Sequence, residues 1–554
     1  MSIQNLIRQK RNLFIVLIIL MMIVAACGGS AAEPASEESG GVIAQSPAIE
    51  SPTEEEAMEE EEDYVEIVAE EYEDEMMEEV AADEAPIVVA PAEIEPAPTA
   101  VPERPDDRFF EDYGVNPFIL TSVDNLSTFA LDVDTASYSI SRRYLQDGQL
   151  PPANAVRVEE FVNSFEQGYS TPPDAAFAVY ADGAPSPYHN DGTHFLRFGV
   201  KGFEVAEEER PSANLTFVID VSGSMSGDRL ALVKESLNVL VDRMRRDDVL
   251  SIVVYGSDAR VVLPPTRGSE RAEILTAVYS LGTEGSTNLE AGLLLGYDQA
   301  NRAYMPNGIN RVILASDGVA NVGDTGPNSL SAKIRSYADA GIQLTTLGVG
   351  IGDFNDTMME QLADQGDGNY AYIDTLEEAE EIFIDKLMST LQTIAIDAKI
   401  QVAFDSNVVE RYRLVGYENR AVADEDFRNN DVDAGEIGAG HSVAAIYAVQ
   451  FVPGAQGRIA TVNLRWQDPD SRQVREISGD FGTDNLAASF DDAPLYHQLA
   501  VVVSQTAEIL RESYWADGVT WDDLRIRSER LAAQLGMPEV QEFAELVAEA
   551  SRLQ

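Results

Sequence analysis

Asp220, Ser222 and Ser224 stand on alternate residues directly after a largely apolar run, and their oxygen atoms are ligands that hard cations prefer. The run, Leu215–Ile219, predicts a parallel-sheet strand that is buried on both faces. Gly223 permits a tight turn after the strand, and a helical pattern begins shortly afterwards. Ligands of parallel sheets bind beyond the carboxyl ends of the strands. The spacing therefore predicts one half of a metal site.

The other half is predicted further along the chain, where Thr287 adds a hydroxyl and Asp317, followed by glycine, adds a carboxylate. The five residues together resemble the metal-ion-dependent adhesion site (MIDAS) of von Willebrand factor type A (VWA) domains. The resemblance implies that Ser222, Ser224 and Thr287 bind the cation directly, and that Asp220 and Asp317 act directly or through water. It also implies Mg²⁺, or else Mn²⁺ or Ca²⁺, with a partner's Asp or Glu completing the shell. A domain that keeps these residues only for its turns is the alternative.

Other patterns argue against catalysis and against nucleic acid. The sequence has no His-Glu-x-x-His zinc motif, no Gly-x-Ser-x-Gly nucleophile turn, no phosphate loop and no dinucleotide fingerprint, so we predict that the protein is not an enzyme. His189 and His194 flank Asp191, and two interpretations of this segment stay open: a surface turn or a weak metal site. The net charge of −58 excludes a nucleic-acid partner, whose phosphates need basic patches.

The first 27 residues have the features of an export signal, with a basic start followed by the apolar run Leu13–Ala26. That run is too short for a permanent membrane-spanning helix. It ends at Val24-Ala-Ala-Cys27, which resembles the lipobox of bacterial lipoproteins, and Cys27 is the single cysteine of the chain. The resemblance implies lipidation at Cys27. The expected location is the cell envelope, outside the cytoplasm and anchored in the membrane by lipid.

Residues 28–108 are rich in Ala, Pro, Ser and Glu, and we predict a disordered acidic linker there. Residues 109–210 are then predicted to form an N-terminal module. The segment from Asn116-Pro-Phe through Arg157-Val-Glu-Glu-Phe161 resembles the corresponding module of bacterial YfbK-like VWA proteins. Within it, Asp132-x-Asp134-x-x-Ser137 is explained either by a strand end and a capped helix or by a second metal site.

Residues 213–392 alternate strand and helix patterns, which predicts an α/β fold: a Rossmann-like doubly wound VWA domain. We predict a closing helix from Leu376 to Thr393. Residues 394–490 are predicted to form a flanking β-rich C-terminal module that strands from residues 175–205 could complete, and residues 491–554 are predicted to form C-terminal helices. Arg413-Leu-Val-Gly and Asp433-Ala-Gly-Glu resemble the C-terminal module of the same YfbK-like family.

The sequence thus predicts a lipid-anchored protein that binds an acidic protein partner through a metal ion. Two alternatives stay open. An AAA+ ATPase is a partner of other VWA proteins, although export argues against it here. An internal clasp is possible as well, with the acidic loop Asp424–Asp433 supplying the carboxylate ligand from within the chain. That loop also suits calcium by composition, but it lacks the spacing of a helix-loop-helix calcium site.

Overall fold

The computed structural model describes residues 41–44, 110–173, 175–206, 209–318, 327–350, 355–380, 382, 392–432, 434–469 and 471–554. The predicted export signal and Cys27 lie outside these residues. In the part of the chain that is described, no helix has both the length and the apolar character needed to cross a membrane.

Strands and helices alternate in the middle of the chain; strands dominate before it, and strands and then helices follow it. The strands are β1 (Gly41–Ala44), β2 (Ile119–Leu120), β3 (Leu126–Ala130), β4 (Phe177–Pro185), β5 (Thr193–Gly202), β6 (Ala213–Asp220), β7 (Val249–Tyr255), β8 (Ala259–Arg267), β9 (Ile309–Ser316), β10 (Gln343–Val349), β11 (Tyr370–Ile373), β12 (Thr393–Phe404), β13 (Val409–Val415), β14 (Gly435–Gly438), β15 (Ser442–Phe451), β16 (Arg458–Gln467) and β17 (Val474–Gly482). The helices are α1 (Ala136–Gln146), α2 (Val158–Asn163), α3 (Asp228–Arg243), α4 (Arg271–Ser280), α5 (Leu289–Arg302), α6 (Pro327–Asp339), α7 (Asp356–Gln365), α8 (Leu376–Glu380), α9 (Leu495–Leu510), α10 (Trp521–Leu535) and α11 (Pro538–Leu553).

The central sheet has the strand order β11-β10-β9-β6-β7-β8, in which β8 alone runs antiparallel to its neighbour. Both faces of the sheet are covered. Phe217 and Ile219 of β6 pack in one apolar cluster with α3 and α4, whereas Val218 faces the cluster formed with α5, α6 and α7. Alternate side chains of one strand thus enter two cores, as period-two geometry requires. The predicted doubly wound α/β domain is confirmed.

The segments before and after the central domain share two further sheets. One has the order β1-β4-β5-β15-β13-β2, and the other has the order β14-β12-β16-β17 with β3 paired to β12. The pairing of β5 with β15 runs from Ser442↔Lys201 to Gln450↔Thr193, which confirms that strands from residues 175–205 complete the C-terminal sheet. The two flanking modules predicted separately are therefore one β-sandwich, into which the central α/β domain is inserted between β5 and β12.

Two predicted boundaries need correction. Gly41–Ala44 belongs to the predicted disordered linker but forms β1, antiparallel to β4; this four-residue stretch carries no acidic side chain and includes Val and Ile, which favour strands. The rest of that linker lies outside the described residues. The closing helix does not reach Thr393, because Thr393 already begins β12 and its hydroxyl donates to Gln343 Oε1 at 3.0 Å.

Helix α1 attaches the sandwich to the edge strand of the central sheet. Ala136, Ile140 and Tyr144 of α1 join the apolar cluster that includes side chains of β11. At the far end of α1, Arg142 pairs at 2.6 Å with both Asp374 and Glu378, which follow β11. The inserted domain is therefore held along the whole length of its edge strand.

Asp132 and Asp134, the second acidic pattern of the sequence, also hold this junction. Their carboxylates pair with Arg420 of the sandwich, and Asp134 Oδ1 accepts a hydrogen bond from the Tyr370 amide at 2.9 Å. The helix that follows begins after Thr135, whose side chain makes no capping hydrogen bond. These two carboxylates therefore serve an ion-pair cluster, and the predicted side-chain cap is absent.

Candidate metal site

The site lies where β6 and β9 end side by side at the carboxyl edge of the central sheet. The two strands pair in parallel up to Ile219↔Ala315, so Asp220 and Ser316 follow at the same level. Three connections meet there. We call residues 221–227 the first loop and residues 281–288 the second loop; the third loop begins with Asp317 after β9.

The first loop folds back onto Asp220 and presents two hydroxyls. Asp220 is fully buried, and its Oδ1 accepts a hydrogen bond from the Ser222 amide at 2.8 Å. Its Oδ2 accepts from the Ser316 hydroxyl at 3.0 Å, so the carboxylate is fixed at both oxygens. The Ser222 and Ser224 hydroxyl oxygens lie 3.0 Å apart. Burial, and next the nearby Asp317 carboxylate, raise the pKa of Asp220.

The second loop carries Thr287 to the same edge of the sheet. The Glu284 amide donates to the Val221 carbonyl at 2.6 Å, and the Asn288 amide donates to the Gly256 carbonyl at 2.9 Å. Gly256 has to be glycine, because a Cβ there would lie 2.3 Å from the Glu284 carbonyl oxygen. Thr287 is half-buried, and among the described residues its hydroxyl has no hydrogen-bond partner.

The third loop is tied to the first by an arginine that the sequence analysis did not assign. Arg229 Nη1 donates to the Ser224 carbonyl at 3.0 Å and to Asp317 Oδ2 at 2.7 Å. Asp317 is fully buried. Ser316 was also missed, although it stands directly before Asp317. Hydroxyl-to-carboxylate bonds between two strand ends have no signature in sequence, since they depend on strand order.

The arrangement fits an octahedral oxygen-ligated cation. Mg²⁺ takes oxygen ligands in an octahedral shell. The Ser222 and Ser224 hydroxyls are hydrogen-bonded to each other with their oxygens 3.0 Å apart, and so place two neutral oxygen ligands side by side. Mn²⁺ shares this preference for oxygen octahedra. In the described residues, no group of three or more His, Cys, Asp or Glu side chains offers another metal site.

The acidic loop proposed as an internal ligand packs on the sandwich instead. Asp424 accepts from the Thr128 hydroxyl, and Arg428 pairs with Glu476 at 2.7 Å. Among the described residues, none of its contacts reaches the five MIDAS residues.

The histidine turn is likewise engaged within the fold. His189 Nε2 lies 3.1 Å from the Asp517 carbonyl oxygen, and His194 Nδ1 lies 2.9 Å from the Gly192 carbonyl oxygen. Asp191 accepts from the Thr193 amide at 3.0 Å. These bonds are those of an ordinary surface turn.

Three family profiles match consecutive parts of the chain. The profile described as "von Willebrand factor type A domain" matches residues 214–385, the one described as "von Willebrand factor" matches 104–197, and the one described as "Uncharacterized protein YfbK, C-terminal" matches 389–553. Among curated proteins, the Uncharacterized protein YfbK of Escherichia coli (strain K12) is 35% identical over 484 residues, which are 82% of this chain and 83% of that protein.

Solved structures show a more distant likeness. A von Willebrand factor type A protein from Catenulispora acidiphila is 18% identical, with a TM-score of 0.40, and the match covers 65% of this chain and 87% of that one. Proximal thread matrix protein 1 from the mussel byssus, with a zinc-occupied MIDAS motif, is 22% identical with a TM-score of 0.27, and the match covers 32% of this chain and 46% of that one.

A doubly wound domain with hydroxyls and carboxylates at the carboxyl edge of its sheet defines a VWA protein. The chain belongs to the YfbK-like family of VWA proteins. Domains of this type generally serve protein interaction or adhesion and are generally not enzymes.

Proposed function

We propose that this protein is a lipid-anchored component of the cell envelope whose VWA domain binds a divalent cation and, through it, a carboxylate of a protein partner. Ser222, Ser224 and Thr287 would hold the ion, with Asp220 and Asp317 beside it. The observation that carries the proposal is the pair of serine hydroxyls, 3.0 Å apart, in the loop that follows a buried carboxylate whose two oxygens each accept a hydrogen bond. Mg²⁺ and Mn²⁺ prefer such oxygen ligands.

The donor set favours binding of an acidic ligand. Three hydroxyl ligands carry no charge, so the cation keeps much of its own, and it attracts a further anionic ligand. Ser224 is exposed, which leaves the outer side of the site open to a partner. Attachment through Cys27 would place this surface in the envelope, since lipid chains at that residue hold the protein on a membrane. The proposed partner is therefore a protein with an accessible Asp or Glu.

The metal step is tested first, with the full-length chain in detergent. Titration with Mn²⁺ should show one site in the wild type, and Ser224→Ala and Asp220→Ala should weaken it at least tenfold, since each removes an oxygen ligand or the carboxylate that orients one. Ser226→Ala is the matched control, because Ser226 is an exposed serine of the same loop outside the pattern. Equal Mn²⁺ affinity in Ser224→Ala and Ser226→Ala would contradict the site.

The partner step is tested by capture from envelope extract with the tagged full-length protein, in Mg²⁺ and in EDTA. A partner retained by the wild type in Mg²⁺, and lost with EDTA or with Asp220→Ala, is the expected result. If the partner is retained in EDTA and by Asp220→Ala as well, a metal bridge is excluded. Separately, Cys27→Ser should move the protein from the membrane fraction to the soluble fraction, and an unchanged distribution would exclude the lipid anchor.

A further inference from the structure

Arg229 is the one cationic side chain that contacts a MIDAS carboxylate within the described residues. It stands in the first turn of α3, and its Nη1 bridges Asp317 Oδ2 at 2.7 Å and the Ser224 carbonyl at 3.0 Å. Its side chain is 18% exposed and Asp317 is not exposed at all, so the pair is largely shielded from water. A charge in this position acts strongly on a neighbouring ion.

The end of β10 is shaped to admit this side chain. Gly350 follows β10 with φ +76°, and a Cβ there would lie 2.6 Å from Arg229 Cγ and 2.8 Å from its Nε. Arg229 therefore lies against the end of one strand while it joins the first and third loops. The guanidinium is held by backbone and side chain together, which is unlike an exposed arginine that swings in solvent.

The charge of the site decides what it attracts. Asp220 and Asp317 bring negative charge beside the ion, and within the described residues Arg229 offsets the charge of Asp317. A neutral metal site binds its cation tightly but gains little from a partner carboxylate, whereas a positive one binds the cation less tightly and the carboxylate more tightly.

We propose that Arg229 is the residue that makes this metal site selective for acidic partners, because it offsets the Asp317 charge and keeps the loaded site positive. The inference rests on the proposed function and adds to it a specificity-determining residue that never touches the metal. It predicts opposite effects on two affinities. A residue that merely holds Asp317 in place would affect both affinities in the same direction.

The experiment measures both affinities on the full-length protein in detergent. Mn²⁺ alone is titrated first; acetate, which stands in for a partner carboxylate, is then titrated into the Mn²⁺-loaded protein and followed by the loss of metal-bound water in proton relaxation. In Arg229→Gln we expect Mn²⁺ to bind about tenfold more tightly and acetate about tenfold more weakly, because one positive charge beside the ion is gone. Arg229→Lys, which keeps the charge, should stay within about threefold of wild type for both ligands if charge is what matters.

Arg260→Gln is the matched control. Arg260 pairs with Glu284 of the second loop at 2.7 Å, and both side chains are about half exposed, so its loss should change either affinity less than twofold. The inference is overturned if Arg229→Gln weakens Mn²⁺ and acetate together, or if Arg260→Gln reproduces its effect. A wild type that binds no Mn²⁺ would instead refute the proposed function itself, so the two failures are distinguishable.

Discussion

Replacing Arg420 by alanine should strongly destabilise the junction between the VWA domain and the sandwich. The guanidinium is 12% exposed and is shared by two carboxylates of the segment before α1 and two of α7. The contacts are to Asp132 at 3.2 Å, Asp134 at 3.3 Å, Glu360 at 3.1 Å and Asp364 at 2.9 Å. Alanine removes the shared counter-charge and leaves three of these carboxylates buried.

The loss of stability follows from the carboxylates that stay buried without their counter-charge. Removing one partner of a buried ion pair costs about 3–5 kcal/mol, because the remaining charge stays out of water without compensation. For a unit of 150–250 residues, about 2–4 °C are lost per kcal/mol, so the melting temperature of the inserted domain should fall by roughly 6–20 °C. Burial, and next the neighbouring Asp132, already raise the pKa of Asp134 well above its usual range. The charged form of Asp134 is therefore already disfavoured in the wild type.

The assay is calorimetric melting of the full-length protein at pH 8 and pH 5.5, with Arg428→Ala as control. Arg428 lies eight residues further along and pairs with Glu476 at 2.7 Å, but its side chain is 68% exposed, so its loss should cost at most about 1 kcal/mol. The penalty of Arg420→Ala should shrink at pH 5.5, because carboxyls that take up a proton need no counter-charge. A penalty no larger than that of Arg428→Ala, or one independent of pH, would refute the reasoning.

Three further outcomes are expected. Burial, and next a neighbouring carboxylate, raise the pKa of Glu159 to about 7 from 4.5. Between these pH values the folded protein holds a proton that the unfolded chain releases, so stability is lost as the pH rises. The melting-temperature advantage of Glu159→Gln over wild type should therefore grow from pH 5 to pH 8. Gly296→Ala should cost about 1–3 kcal/mol in urea unfolding, because its Cβ would meet Val218 Cγ2 at 2.3 Å; an unchanged midpoint would contradict this packing. Ser316→Ala should weaken Mn²⁺ binding about 10–100-fold by releasing Asp220, and an unaltered titration would show that this hydroxyl is dispensable.

The central sheet was largely predictable because its strands coincide with continuous apolar runs in the sequence. The predicted strand Leu215–Ile219 lies within β6, which runs from Ala213 to Asp220. Strands that are apolar on both faces are typical of a parallel sheet covered by helices on both sides. The role of the five oxygen donors as metal ligands stays a prediction; the first and third loops are joined by Arg229.

The sandwich was harder, since its sheets join segments far apart in the chain. β5 meets β15 across the whole inserted domain, and no local pattern states which edge strand a given strand will pair with. The same holds for β1, whose four residues pair with β4 within a stretch of linker composition. Pairing depends on closure of long loops, so only the assembled fold reveals it.

The sequence by itself determined the identity and order of the oxygen donors, because Asp220 and Asp317 directly follow strands that any parallel sheet brings to one edge. The tertiary structure alone decided their charge environment. It placed Arg229 on Asp317 and Ser316 on Asp220, and it moved the acidic loop onto the sandwich, where Asp424 meets Thr128. The physical reason is the separation along the sequence. Strand ends follow from short apolar runs of neighbouring residues, whereas the counter-charge of a buried carboxylate comes from a side chain distant in sequence that folding brings within about 3 Å.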